Sequence, residues 1–249
     1  MRRSVLFAAI GAASLSLSAC GYSVFDAAED IQNGGFEGGT AITTAVQATS
    51  AFTQVEAMGP DTVVFVTGEK FSIKAEGNAE AIKTLRYKID GSAIQIGRNK
   101  GKWLGDSAKG VTITITAPKV SSVSLAGSGD FKGDRLSGDK VTIDLAGSGN
   151  VVVADITAAA VEGNVAGSGD MKGAGKAAKA EWSIAGSGNV DASAVVSEDV
   201  EVSIAGSGDV LANATKTADV SIAGSGDVTV TGGAKCTKSV IGSGKVTCS

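Results

Sequence analysis

The sequence predicts an all-β protein folded as a parallel β-solenoid, a single-stranded β-helix with coils of 18–20 residues. Three observations carry that prediction. The first is a phrase that recurs seven times, as LAGSGD at 125–130, LAGSGN at 145–150, VAGSGD at 165–170, IAGSGN at 184–189, IAGSGD at 204–209, IAGSGD at 222–227 and VIGSGK at 240–245. Successive copies lie 20, 20, 19, 20, 18 and 18 residues apart. Self-similarity at a nearly fixed period of this size marks stacked coils, none of which can bury its apolar side alone. The second observation is that alignment on the first glycine of GSG gives uniformly apolar columns. Two residues before it stand Leu125, Leu145, Val165, Ile184, Ile204, Ile222 and Val240, and four after it Phe131, Val151, Met171, Val190, Val210, Val228 and Val246. The third is composition: 35 Gly and 2 Pro in 249 residues suit many strands joined at tight corners.

Residues 1–19 read as an export signal, with Arg2 and Arg3 at the start and an apolar run from Val5 to Leu17 that is too short to span a bilayer comfortably. Leu17-Ser18-Ala19-Cys20 resembles the bacterial lipobox, which implies cleavage before Cys20 and lipid on its sulfur. The plainer alternative is an ordinary secretory signal cut nearby, leaving Cys20 a free thiol. Gly21 after that cysteine is compatible with sorting to the outer membrane by the rule known for enteric bacteria. Residues 20–50 are rich in Gly, Ala, Thr and acids, with little periodicity, and are expected to form a flexible tether.

The folded body is expected over 51–249. Strand-like alternation runs through Phe52–Val55, Thr62–Thr67, Lys70–Ala75, Thr84–Asp90, Ser92–Ile96 and Val111–Thr116, and Asn78 is a good N-cap for a short helical turn over Ala79–Ile82. The repeats occupy 121–249, each coil carrying two strands around a glycine corner. Two glycines flanking one small residue permit positive φ and close approach of neighbouring coils. A phosphate-cradling loop is the alternative reading of GxG, but no helix pattern follows any copy.

Three residues after the first glycine stands a polar column: Asp130, Asn150, Asp170, Asn189, Asp209, Asp227 and then Lys245. A calcium ladder and a structural Asx corner compete for it. Alternation of Asp with Asn, which separates like charges, favours the structural corner. Cys236 and Cys248 fall six residues either side of the last first-glycine, both in inward columns, so a disulfide across one terminal coil is expected; two buried thiols are the alternative.

The chain has no His, the commonest general base and transition-metal ligand. No catalytic residue, metal or cofactor is therefore expected. Once Arg2 and Arg3 are removed, 20 basic residues face 26 acidic ones, a net charge of −6 that argues against nucleic acid as a partner. Asp134, Arg135 and Asp155 are the acids and base to inspect for sugar chemistry, and Trp103 and Trp182 for ring stacking on sugars.

The pattern of Phe52-Thr-Gln-Val55, Gly91-Ser-Ala-Ile-Gln-Ile96, Val111–Pro118 and the AGSGD/AGSGN phrases resembles the autotransporter adhesin, head GIN domain, family over about residues 50–249. The resemblance implies a β-solenoid in a lipid-anchored or exported envelope protein. No membrane-barrel segment is evident after the repeats, so self-translocation is not carried over. The expected function is a non-catalytic envelope lipoprotein, lipid-anchored and at the outer membrane, whose solenoid binds an envelope protein or a glycan. A polysaccharide-active β-helix enzyme and a purely structural spacer are the alternatives.

Overall fold

The structure, a computed structural model, describes residues 38–99 and 110–249. Two short strands, β1 (Thr40–Ala41) and β2 (Gln47–Ala48), lead into a first coil made of β3 (Gln54–Gly59) and β4 (Thr62–Thr67). The chain continues through β5 (Ser72–Glu76), one helical turn α1 (Ala79–Ile82), β6 (Leu85–Asp90), β7 (Ala93–Arg98) and β8 (Thr112–Ala117). The repeats follow as β9 (Ser122–Gly127), β10 (Phe131–Gly133), β11 (Leu136–Gly147), β12 (Val151–Gly167), β13 (Met171–Gly186), β14 (Val190–Gly206), β15 (Val210–Gly224), β16 (Val228–Thr231), β17 (Lys235–Gly242) and β18 (Val246–Cys248).

From β9 onward the architecture is the parallel solenoid that the repeats predict. Leu125, Leu145, Val165, Ile184, Ile204, Ile222 and Val240 pair in register, each with its equivalent one coil on. The column from Phe131 to Val246 does the same on the far side of the corner. Parallel pairing at one strand spacing stacks like on like, so each apolar column becomes a continuous ridge of the core. From Leu125 to Ile222 these side chains are at most 3% exposed. Burial of each contributes on the order of 1.5–3 kcal/mol.

The N-terminal end is built out of sequence order. β3 is sandwiched between β7 on one edge and β9 on the other, parallel to both. Having laid down β3 and β4, the chain runs outward through antiparallel strands, with β5 against β8 and β6 against β7, and then returns to place β9 on the free edge of β3. Asn78 Oδ1 caps α1 by accepting from the N–H groups of Glu80 and Ala81.

The tether assigned to 20–50 gives way to folded structure at residue 40: β1 pairs with β6, β2 pairs with β5, and Ile42 is buried. A two-residue strand leaves no alternation to read, and one isoleucine among Ala and Thr gives no pattern. Cys20, the signal segment and Trp103 lie outside the described residues.

Candidate interaction surface

The GSG corner is the tightest part of the stack. The carbonyl of Gly147 accepts from the N–H groups of both Ser168 (2.9 Å) and Gly169 (3.1 Å) in the next coil, and the Gly127, Gly167 and Gly224 carbonyls are shared in the same way. The first glycines adopt positive φ, as Gly206 does at 143°. The second has no room for a side chain: a Cβ on Gly208 would lie 1.9 Å from the carbonyl oxygen of Gly188. The corner is thus explained by backbone packing.

Beside it runs the polar column, and its hydrogen bonds differ from those expected. An Asx corner would bond within its own turn, whereas here each side chain reaches forward one coil. Asp130 Oδ1 accepts from the backbone N–H and the side-chain amide of Asn150, at 3.0 and 2.9 Å. Asp170 does the same for Asn189. Asn189 Oδ1 accepts from the N–H of Asp209, Asp209 Oδ1 from that of Asp227, and Asp227 Oδ1 from that of Lys245. The parallel register explains this, because it sets identical positions one above another. Asn serves between aspartates because it spaces their charges without adding one, while both donating and accepting. Among the described residues no group of three or more His, Cys, Asp or Glu is arranged to hold a metal ion.

Another column, missed in the sequence reading, faces outward on the strand segment before the corner. Glu162, Glu181, Glu201 and Asp219 pair in register, so their carboxylates stack at roughly one strand spacing of 4.8 Å. They sit five residues before each first glycine, a signal visible in the same alignment, but an outward acidic position looks like ordinary solvated surface. Beside them stand Ser183, Ser203, Ser221 and Ser239, also in register. Glu162 is paired with Lys140 at 2.5 Å, and Asn164 donates to both Asp144 and Glu162. Burial alone would raise the Glu162 carboxyl, but the hydrogen bonds from Lys140 and Asn164 and the Lys140 charge bring it below its ordinary value. For Glu181 the balance goes the other way: partial burial, then the charges of Glu162 and Glu201, outweigh the Lys140 charge and push it up.

The residues singled out for sugar chemistry do not converge. Asp134 accepts from the N–H and hydroxyl of Thr67, both at 2.8 Å, tying the exit of β10 to β4. Arg135 is paired with Asp155 at 2.9 Å on an exposed surface. Trp182 is 2% exposed and lies in the core, so it offers no stacking face for a sugar. Asp61 and Arg98, only 6% and 4% exposed, form an ion pair through Nε and Oδ2 at 2.8 Å at the N-terminal corner. Cys236 and Cys248 form a disulfide with Cα atoms 6.7 Å apart, within the usual span, and both pack against the core.

The geometry defines a β-solenoid repeat protein with a folded N-terminal cap. The chain belongs to the family described as "Putative auto-transporter adhesin, head GIN domain", whose model matches residues 51–234. Among solved structures it is similar to one from Bacteroides fragilis NCTC 9343, described as a "putative adhesin", at 24% identity and TM-score 0.76 over 84% of this chain and 100% of that one. It is similar also to a "putative lipid binding protein" from Parabacteroides distasonis ATCC 8503, at 20% identity and TM-score 0.64 over 82% of this chain and 95% of that one. A further "putative adhesin" from the same organism has 16% identity and TM-score 0.66 over 84% and 99%. At these identities the likeness speaks for the fold. No curated protein matches the chain.

Proposed function

We propose that this chain is a non-catalytic lipoprotein of the bacterial cell envelope, anchored through Cys20, with the outer membrane as its site, and that it uses the outward face of its solenoid for binding or adhesion. The observation that carries the reading is the array of Glu162, Glu181, Glu201 and Asp219 beside the serine column, held in register by the backbone. A rigid repeating array meets an extended partner at many equivalent points without ordering loops on binding. Membership in an adhesin family supports the same reading. Cleavage of a polysaccharide would call for two carboxylates facing each other across a glycosidic bond. The stacked acids instead project side by side from one face, and Asp134 and Asp155 are engaged in structural contacts.

Binding is tested with the full-length protein on immobilised envelope glycans and envelope proteins, beside the Glu181→Lys/Glu201→Lys variant. The wild type should retain one class and the variant should lose about tenfold or more of that affinity. Equal retention by both, or none by either, would overturn the reading. Anchoring is tested separately: labelled palmitate should enter the wild type and not Cys20→Ala.

A further inference from the structure

We infer that the solenoid is closed at the coil spanning 235–248 by Lys238, whose charge in a core column refuses a further coil or a second copy at that edge. Register puts Lys238 directly beyond Val220. It therefore ends the inward column of Val123, Ile143, Gly163, Trp182, Val202 and Val220. All five side chains in that column are at most 3% exposed. A lysine standing there carries a charge to a place where another coil would need an apolar contact. Its ammonium donates to the carbonyl of Val246 at 3.0 Å, folded across the open end of the coil.

A second, independent break falls in the corner column. Each coil from Asp130 to Asp227 offers a side-chain oxygen to the backbone N–H one coil on. The Lys245 N–H donates to Asp227 Oδ1, and the Lys245 side chain has no oxygen to offer the next coil. The stretch 232–249 also holds Lys235, giving three lysines and no acidic side chain. By contrast, 180–231 holds Lys216 against eight acids.

The barrier has something to oppose. β17 is an exposed edge of eight residues, and Val240 and Ile241 are 40% and 76% exposed on it. An edge of that kind is a template for strand addition, and an inward-pointing charge is a recognised way of blocking it. The opposite end needs no such device, since β5 and β6 cover it antiparallel and carry β1 and β2 on their outer edges. A second copy would thus add tail to tail, bringing two sets of lysines together.

The test is sedimentation velocity on the full-length protein in detergent over a range of concentrations. The wild type should stay monomeric at low salt. Lys238→Val/Lys245→Asn, which restores both the apolar column and the oxygen ladder, should associate about tenfold more tightly or more. Lys176→Val, an exposed lysine on a middle coil, should behave as wild type. Because the double variant could also misfold, the wild type is compared at low and high salt, where screening should weaken the charge barrier and increase association. A double variant that keeps native circular dichroism and remains monomeric would overturn the inference. So would a wild type that associates through β17 at low salt, or one whose monomer is indifferent to salt beside a misfolded double variant.

Discussion

The indole of Trp182 occupies the space that a side chain at position 163 would need: a Cβ on Gly163 would lie 2.6 Å from Trp182 Cε3. The two residues are register partners in adjacent coils. The hole in one coil is therefore filled by the bulk of the next. Gly163→Val should cost about 1–3 kcal/mol or more through overpacking, and Trp182→Ala about 3–5 kcal/mol through the cavity. Gly163→Val/Trp182→Ala should lose less than the two single losses added together, because the new methyl groups occupy part of the vacated space. Denaturant midpoints of the four proteins decide it; additive losses would contradict the shared space.

The corner makes a sharper claim about neighbouring residues. Ser207→Ala should change stability by no more than about 0.5 kcal/mol, since among the described contacts only its backbone N–H is used. Gly208→Ala puts a methyl group against the Gly188 carbonyl and should cost about 3 kcal/mol or more. Ile204→Asp, four residues earlier in the sealed column, buries a charge without a partner and should cost several kcal/mol as well. Thermal unfolding of the three variants would show similar losses for all if the register were wrong.

These contrasts also show what the sequence made legible. From Leu125 on, every corner stacks on another like it, so geometry demands Gly-Ser-Gly each time and the period can be read directly. The coil of β3 and β4 belongs to the same stack, with Gly59 paired to Gly127, yet its corner reads Gly59-Pro60-Asp61. The second glycine is required only where the carbonyl of a preceding corner presses on it. Asp61 instead meets Arg98, and its side chain has somewhere to go. The antiparallel cap was legible as strands but not as pairings, because alternation marks a buried face without naming the neighbour. The polar column was legible as structural, while its bonding forward to the next coil depends on a register that only the stacked coils supply. The acidic face was present in the alignment but outward columns carry no burial signal, and Lys238 went unread because it stands where the eye expects another valine.

The acidic column predicts a pH dependence with a definite sign. Glu181 is held above its ordinary value of 4.5 by burial and by the charges of Glu162 and Glu201. Its native state therefore binds the proton more tightly than the unfolded chain, so stability falls as pH rises from 4.5 through the raised value. Glu162 has the opposite sign: its lowered folded value gives stability that is present above 4.5 and is lost as pH falls through the folded value. Glu181→Gln should match the wild type near about pH 4 and exceed it modestly near about pH 7, the gain being limited because the side chain is largely in water. Glu162→Gln should be less stable than wild type at neutrality. Melting temperatures of the three proteins across that range test the signs, and a Glu181→Gln gain confined to acid pH would refute them.

The disulfide predicts where the stack fails first. The coil of β17 and β18 has a neighbour on one side only, and Val240 in its core column is 40% exposed where Ile222 is 1%. Fraying should begin there. Cys236 and Cys248 join its two strands across a separation of 12 residues, and a closed loop of that size contributes about 3 kcal/mol in the chain-entropy model. In a stacked array that contribution acts mainly on the coil it closes, since each coil touches only its neighbours. Cys236→Ser/Cys248→Ser should therefore speed amide exchange in 235–248 strongly and in 210–231 less, leaving the middle coils close to wild type. Intact mass after alkylation, with and without reductant, first establishes that the exported protein carries the bond. Two alkylatable thiols without reductant, or exchange unchanged in the double variant, would remove the staple from the account of this coil.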